Sequence, residues 1–319
     1  MPQSSAFGRI ECLEPRFDSL VCADAKLEVL ADGFSWLEGP VWHRKGKYLL
    51  FSDIPANAIY RWDEECGVRL FLRPSGYTGR EPFPGKEPGS NGLTLDAQGR
   101  LVLCEHGDRR ITRLEPHGVK TTLVDRYHGR RLNSPNDLVF HSNGDLYFTD
   151  PPFGLPETFT DPTRELPFNG VYCLRQSGDL KLLLSERGAP NGLAFSPDEK
   201  TLYLSDDDPK CLGWWAYSVR ADGTLATGRM LAAATRWARE RAGAPDGLKV
   251  DEYGNLFATG PEGVYVFAPD GLHLGSIFTG VPTGNLAWGD DGSALYIAAQ
   301  TRLLRIRVLT TGSPPSVCS

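Results

Sequence analysis

Nothing in this chain of 319 residues is long and apolar enough to span a membrane, and Met1 to Leu20 lacks the charged-then-apolar order of a signal peptide. These absences argue against a membrane partner and place the chain in the cytoplasm. Basic runs are missing too. The longest are pairs such as Arg109-Arg110 and Arg130-Arg131, and the formal net charge is −6, so nucleic acid is not an expected partner. Seven cysteines (Cys12, Cys22, Cys66, Cys104, Cys173, Cys211 and Cys318) show no C-x-x-C spacing. An odd, scattered set predicts reduced thiols and leaves a zinc–thiolate site without support. There is no G-x-S-x-G elbow, no H-E-x-x-H and no phosphate loop, which sets aside serine hydrolases and nucleotide enzymes. No segment keeps an amphipathic helical period over several turns. The nearest, Leu231 to Arg241, predicts one short loop helix.

What the chain has instead is one phrase, repeated. It reads Glu38-Gly39-Pro40-Val41-Trp42, Asn91-Gly92-Leu93-Thr94-Leu95, Asn136-Asp137-Leu138-Val139-Phe140, Asn191-Gly192-Leu193-Ala194-Phe195 and Asp246-Gly247-Leu248-Lys249-Val250. A sixth copy, Gly284-Asn285-Leu286-Ala287-Trp288, keeps the apolar register with glycine in the lead. Each phrase runs into a turn signal and then into further short apolar runs, as in Ser196-Pro197-Asp198-Glu199-Lys200 followed by Thr201-Leu202-Tyr203-Leu204. Such runs read as hairpin-linked strands. Repeats of about 40–55 residues with about four strands each predict an all-β, six-bladed β-propeller.

The whole chain then forms one domain, with blades starting near residues 36, 90, 134, 189, 244 and 282. The N-terminal segment 17–31 is expected to complete the last blade, Lys26 to Leu30 pairing with Leu303 to Val308. Each lead phrase holds the smallest residues and should be the innermost strand, with its first residue at one mouth of the central channel.

The lead residues are almost all oxygen donors. Glu38 and Asp246 bring two carboxylates, and Asn136 and Asn191 bring amide oxygens. Hard divalent cations accept this set, and two carboxylates neutralise a 2+ charge. Ca²⁺ is the first choice, with Mg²⁺, Mn²⁺ and Zn²⁺ as alternatives; no histidine leads a phrase, which counts against a dedicated zinc enzyme. Asn-Gly and Asp-Gly are also ordinary turn dipeptides. Glutamate is a poor turn former, so Glu38 discriminates the two readings.

Asn91 is placed near the pocket without a fixed role. Asn285, one residue out of register, should face the other side of its strand and lie outside the site. Around the same mouth, His106 is a candidate proton carrier or substrate contact, and Glu105 beside it a candidate contact. The insertion from Pro151 to Asn169 is the longest within a repeat, and its Phe153, Leu155, Phe159 and Phe168 could form an apolar rim. Asp206-Asp207-Asp208 reads as a solvated turn.

These phrases, with Ser134-Pro135-Asn136-Asp137-Leu138, Cys104-Glu105-His106-Gly107 and Phe148-Thr149-Asp150-Pro151-Pro152-Phe153-Gly154, resemble the SMP-30/gluconolactonase/luciferin-regenerating family, in particular its bacterial gluconolactonases. The resemblance spans Trp36 to Val308. It implies a six-bladed propeller with one divalent ion at the channel mouth, ligated at the positions of Glu38, Asn136, Asn191 and Asp246. It also implies hydrolysis of a sugar lactone such as glucono-1,5-lactone; some relatives cleave organophosphate esters. Animal members place an arginine two residues before the asparagine matching Asn136. Here that residue is Ser134, so their sugar contacts do not carry over. On this reading the ion polarises the lactone carbonyl as a Lewis acid, and Asp246 is both ligand and proton acceptor, with metal-bound hydroxide as the competing version. A phosphotriesterase-like hydrolase and a non-catalytic calcium-binding propeller are the alternatives. Monomer and homodimer are both compatible with the sequence.

Overall fold

Each lead phrase opens on polar or small residues and closes on an apolar one. The six phrases supply the inner strands Leu37–His43, Ser90–Leu95, Leu138–Phe140, Pro190–Phe195, Leu248–Val250 and Asn285–Gly289. A computed structural model describes residues 8–313. In it every inner strand is one edge of a four- or five-stranded antiparallel sheet, and successive inner strands touch around a closed ring, the last against the first. The architecture is a six-bladed β-propeller.

The core follows from this arrangement. Six clusters of buried apolar side chains each sit between two neighbouring blades. The third residue of five of the six phrases belongs there: Leu93, Leu138, Leu193, Leu248 and Leu286 are all buried between sheets. The second and fourth residues are left to face the channel, as strand alternation requires.

Ring closure uses the N-terminal segment twice. Glu28–Ala31 pairs with the last strand, Arg302–Arg307, with Glu28 opposite Arg305 and Val29 opposite Leu304. Arg9–Cys12 was not anticipated as a strand. It adds a fifth, outermost strand to blade five by pairing with His273–Phe278. Between them the turn Pro15–Ser19 lodges Phe17, fully buried, in the cluster between blades five and six. Gly275 makes room for it: a Cβ there would lie 2.7 Å from the Phe17 ring. The segment therefore completes blade six, as expected, and also extends blade five.

The expected helix shrinks to Thr235–Ala238, because Leu231 is committed to the strand Arg229–Ala233. Its Trp237 packs on Trp214 and Tyr265. Six cysteines are free thiols, and Cys318 lies outside the described residues. No helix among the described residues is long and apolar enough to cross a membrane.

If Phe17 holds blades five and six together, Phe17→Ala should destabilise the protein by about 3–5 kcal/mol, the usual range for emptying a buried aromatic site. Urea denaturation measures this. A change below about 1 kcal/mol would mean that the N-terminal segment is not docked in solution.

Candidate metal and active site

Backbone geometry sets the lead ring before any side chain does. In blade three the Asn136 N–H donates to the Thr149 carbonyl at 2.9 Å, while the Thr149 N–H donates to the Asp137 carbonyl at 3.0 Å. Two consecutive residues thus face one partner, which is a bulge. Blade five repeats it, with Asp246 and Gly247 both bonded to Thr259 at 3.2 and 2.8 Å. Period-two alternation fails at that point, so first and second residues of the phrase both turn toward the axis.

A second repeat fixes the ring from outside. The second strand of three of the six blades ends in a hydroxyl residue followed by an acid: Ser52-Asp53, Thr149-Asp150, Ser205-Asp206. The hydroxyl donates to the lead carbonyl of the next blade, Ser52 to Asn91 at 2.9 Å, Thr149 to Asn191 at 2.7 Å, Ser205 to Asp246 at 2.5 Å and Thr259 to Gly284 at 2.6 Å. The acid caps the backbone that leads into its own blade's phrase. Asp53 accepts from Ser35 and Trp36, Asp150 from Asn133, and Asp206 from Ala189. This hydroxyl–acid pair is a second register in the sequence, which the lead phrase alone does not disclose.

Within this frame the lead side chains converge. Asn91 Nδ2 donates to Asn136 Oδ1 at 2.5 Å, and Asn136 Nδ2 to Asn191 Oδ1 at 2.5 Å. The three amides run head to tail around half the ring, and each acceptor oxygen keeps a second lone pair. Glu38, Asn91, Asn136 and Asn191 are buried; Asp246 alone keeps partial exposure to the mouth. Glycine at the sixth lead position has a steric reason, since a Cβ on Gly284 would lie 2.2 Å from Glu38 Oε1.

Electrostatically the ring is a stack of like charges. Burial raises the Glu38 carboxyl to about 8, with Asp137 and Glu87 adding to the rise while the Gly39 N–H and the Asn285 amide oppose it. Burial likewise holds Asp246 well above the usual carboxylate range, with Glu38, Asp207, Asp137 and Glu87 contributing. The strongest charges acting on both residues are all carboxylates. No three His, Cys, Asp or Glu side chains form a compact metal cluster among the described residues; the ring mixes two carboxylates with amides. Two like charges, one buried and one half-buried, with amide oxygens between them are the donor set that a hard divalent cation neutralises. The residues fit such an ion.

Several expectations need correction. Asn285 is not turned away: its Nδ2 lies 3.5 Å from Asp137 Oδ2, and its amide stabilises the charged form of Glu38. The reason is that Gly284 and Asn285 both face Ala298, as in the bulges above. Glu105 points into its own sheet, where Thr112, Arg110 and Lys120 occupy its oxygens at 2.7, 2.7 and 2.6 Å. It is a buried ion-pair knot, not a substrate contact. The triple acid is not a solvated turn, since Asp206 is fully buried and burial beside Asp206 and Asp208 raises Asp207 to about 7. Of the four rim candidates, Leu155 is buried and Phe168 packs against the cluster between blades two and three. Phe153 remains, edge-on to Phe159.

His106 is buried beside the ring. Its Nε2 lies 3.3 Å from Asn91 Nδ2 and its Nδ1 3.2 Å from Glu87, with Gly154 of the insertion closing over it. Ser134 pins that insertion by donating to the Pro151 carbonyl and accepting from the Gly154 N–H, at 2.7 and 2.9 Å. Glu87, Asp137 and Asp207 are the residues that sequence reasoning missed. Asp137 had a signal, being the one carboxylate among the second residues of the phrase; Glu87 lies in a loop with none.

Comparison with known proteins bears on the family and the fold. A family model for the SMP-30/Gluconolactonase/LRE-like region matches residues 36–301. A gluconolactonase of Zymomonas mobilis is 41% identical over 317 residues, which is 97% of this chain and 88% of that protein. The pentonolactonase XacC of Haloferax volcanii is 26% identical, covering 82% of this chain and 80% of its own length. A solved gluconolactonase structure from Xanthomonas campestris has a TM-score of 0.82 at 34% identity, over 97% of this chain and 98% of that one.

The raised carboxyls carry a pH prediction for chelator-treated protein. A proton on Glu38 favours the folded state, so its contribution is full below the ordinary value of 4.5 and is lost as pH rises through about 8. Asp246 acts in the same direction. The melting temperature in chelator should fall between pH 5 and pH 8.5, and saturating Ca²⁺ should flatten that slope. Identical slopes with and without Ca²⁺ would contradict the ring's role as a cation site.

Proposed function

This chain belongs to the SMP-30/gluconolactonase/LRE-like family, and from that premise we propose that it opens a sugar lactone such as glucono-1,5-lactone at the lead ring, with one divalent cation held by Glu38, Asn136, Asn191 and Asp246. That it is a lactone hydrolase follows from its relatives. The observation that carries the site assignment is a pair of repelling carboxylates, Glu38 buried and Asp246 half-buried, set among amide oxygens. Ca²⁺ is the first candidate for the ion, because every donor is a hard oxygen.

When bound, the ion supplies Lewis-acid polarisation of the lactone carbonyl. The chain's own residues do the rest. Asp246 is the lead residue open to the mouth, and its carboxylate takes the proton of the attacking water. Water adds its oxygen to the carbonyl carbon, the ring C–O bond breaks, and the ring oxygen leaves protonated, giving the aldonic acid. Asn91, tied to Asn136 and close to His106, holds the amide chain in one orientation. Phe153, on the insertion next to the Gly154 that packs over His106, is the residue proposed to give the sugar ring an apolar edge.

The test is a rate measurement on glucono-1,5-lactone with chelator-stripped protein and Ca²⁺, Mg²⁺, Mn²⁺ or Zn²⁺ restored singly. We expect hydrolysis above the spontaneous rate only with metal, and its loss by about 100-fold or more in Glu38→Ala. Gly284→Ala keeps every donor yet crowds Glu38, and it should lose activity as well. Asp246→Asn that still bound metal and turned over at full rate would rule out Asp246 as the base. Metal-independent turnover would overturn the cation assignment.

A further inference from the structure

Past the lead ring, the channel is crossed by a bar. The second residues of the six phrases are Gly39, Gly92, Asp137, Gly192, Gly247 and Asn285. Asp137 and Asn285 stand on blades three and six, on opposite sides of the axis, yet their side chains approach to 3.5 Å. The glycines leave the space that this contact fills: a Cβ on Gly92 would lie 2.8 Å from Asp137 Oδ1, and one on Gly247 2.1 Å from the Asn285 amide.

Beyond the bar, toward the C-terminal ends of the inner strands, lies a separate cavity of about 180 Å³. The fourth residues of the phrases line it: Val41, Thr94, Val139, Ala194, Lys249 and Ala287. Lys249 is the single charge in this ring. Its ammonium donates to the Leu248 carbonyl at 3.0 Å and has no carboxylate partner among the described residues. Asp290, also on the wall, is already committed to Arg307 at 2.7 Å and to the Tyr296 hydroxyl at 2.9 Å. Arg44 at the rim is exposed and likewise unpaired among the described residues. Two cations without counter-ions thus stand at an apolar cavity in a chain of net charge −6.

We propose that this end of the channel is a second ligand site, which takes a short aliphatic carboxylate with its head on Lys249 and its chain among Val41, Val139, Ala194 and Ala287. The volume is far more than one water needs and leaves room for a short aliphatic chain. The walls select against a polyhydroxylated acid such as an aldonate, whose hydroxyls would be desolvated without partners. The assignment is independent of the lactonase reading, because Lys249 lies beyond the bar from the lead ring.

Calorimetric titration of the metal-loaded full chain with sodium hexanoate tests it. We expect one saturable site, weakened about tenfold or more in Lys249→Met and largely kept in Lys249→Arg, as for loss of one charge-assisted hydrogen bond. Hexan-1-ol and gluconate should bind the native protein more weakly, one lacking the charge and the other the apolar chain. No saturable binding, or equal affinity in Lys249→Met, would overturn the proposal. Binding lost in Glu38→Ala but kept in Lys249→Met would place the carboxylate at the lead ring and also overturn it. Ser313 borders the cavity. Binding seen only after removal of residues 314–319 would make the chain's own tail the occupant, and the proposal would fall in that case too.

Discussion

Six strands converging on one axis leave space for a side chain only where a neighbour gives it up. That crowding governs the centre of this molecule. Glu38 can turn its carboxylate inward because Gly284 has no Cβ, and Asp137 and Asn285 can meet across the channel because the other second residues are glycine. The same constraint explains why the phrase is repeated but not identical. A ring of six equal carboxylates would neither fit nor tolerate its own charge.

Position is then fixed by the frame rather than by the site. Hydroxyls on the second strands hold the lead carbonyls of adjacent blades, and buried acids such as Asp53, Asp150 and Asp206 cap the backbone entering each phrase. Neither set of residues reaches the ring with its own side chain. They let Glu38 and Asp246 be held close despite mutual repulsion, a strain that a bound cation would remove. Carboxyls raised chiefly by burial, with neighbouring carboxylates adding to the rise, are a common mark of functional sites. Asp246 is the half-exposed member of the ring, which is why the proposed function gives it the proton of the incoming water.

The lead ring was legible because register carries it: a residue's place in a repeated phrase maps onto its place around the axis. Glu38, Asn136, Asn191 and Asp246 were found that way. Register also misled, for Asn285 was assigned outward by strict alternation, and a bulge breaks alternation at that step. Glu105 looked like a site residue because it precedes His106. Its real partners, Thr112, Arg110 and Lys120, lie on neighbouring strands, which strand patterning alone does not pair. Glu87 reaches the ring from a loop, and loops have no register. The strand Arg9–Cys12 escaped notice because it is short and edge-placed, stabilised by tertiary packing rather than by its own pattern.

In the proposed function, catalysis and the pH response both rest on a divalent cation at the lead ring. Anomalous diffraction from crystals soaked in Mn²⁺ locates such an ion directly. One strong peak should appear within bonding distance of the oxygens of Glu38, Asn136, Asn191 and Asp246. A peak at another cluster, or none at the ring under saturating metal, would contradict the assignment.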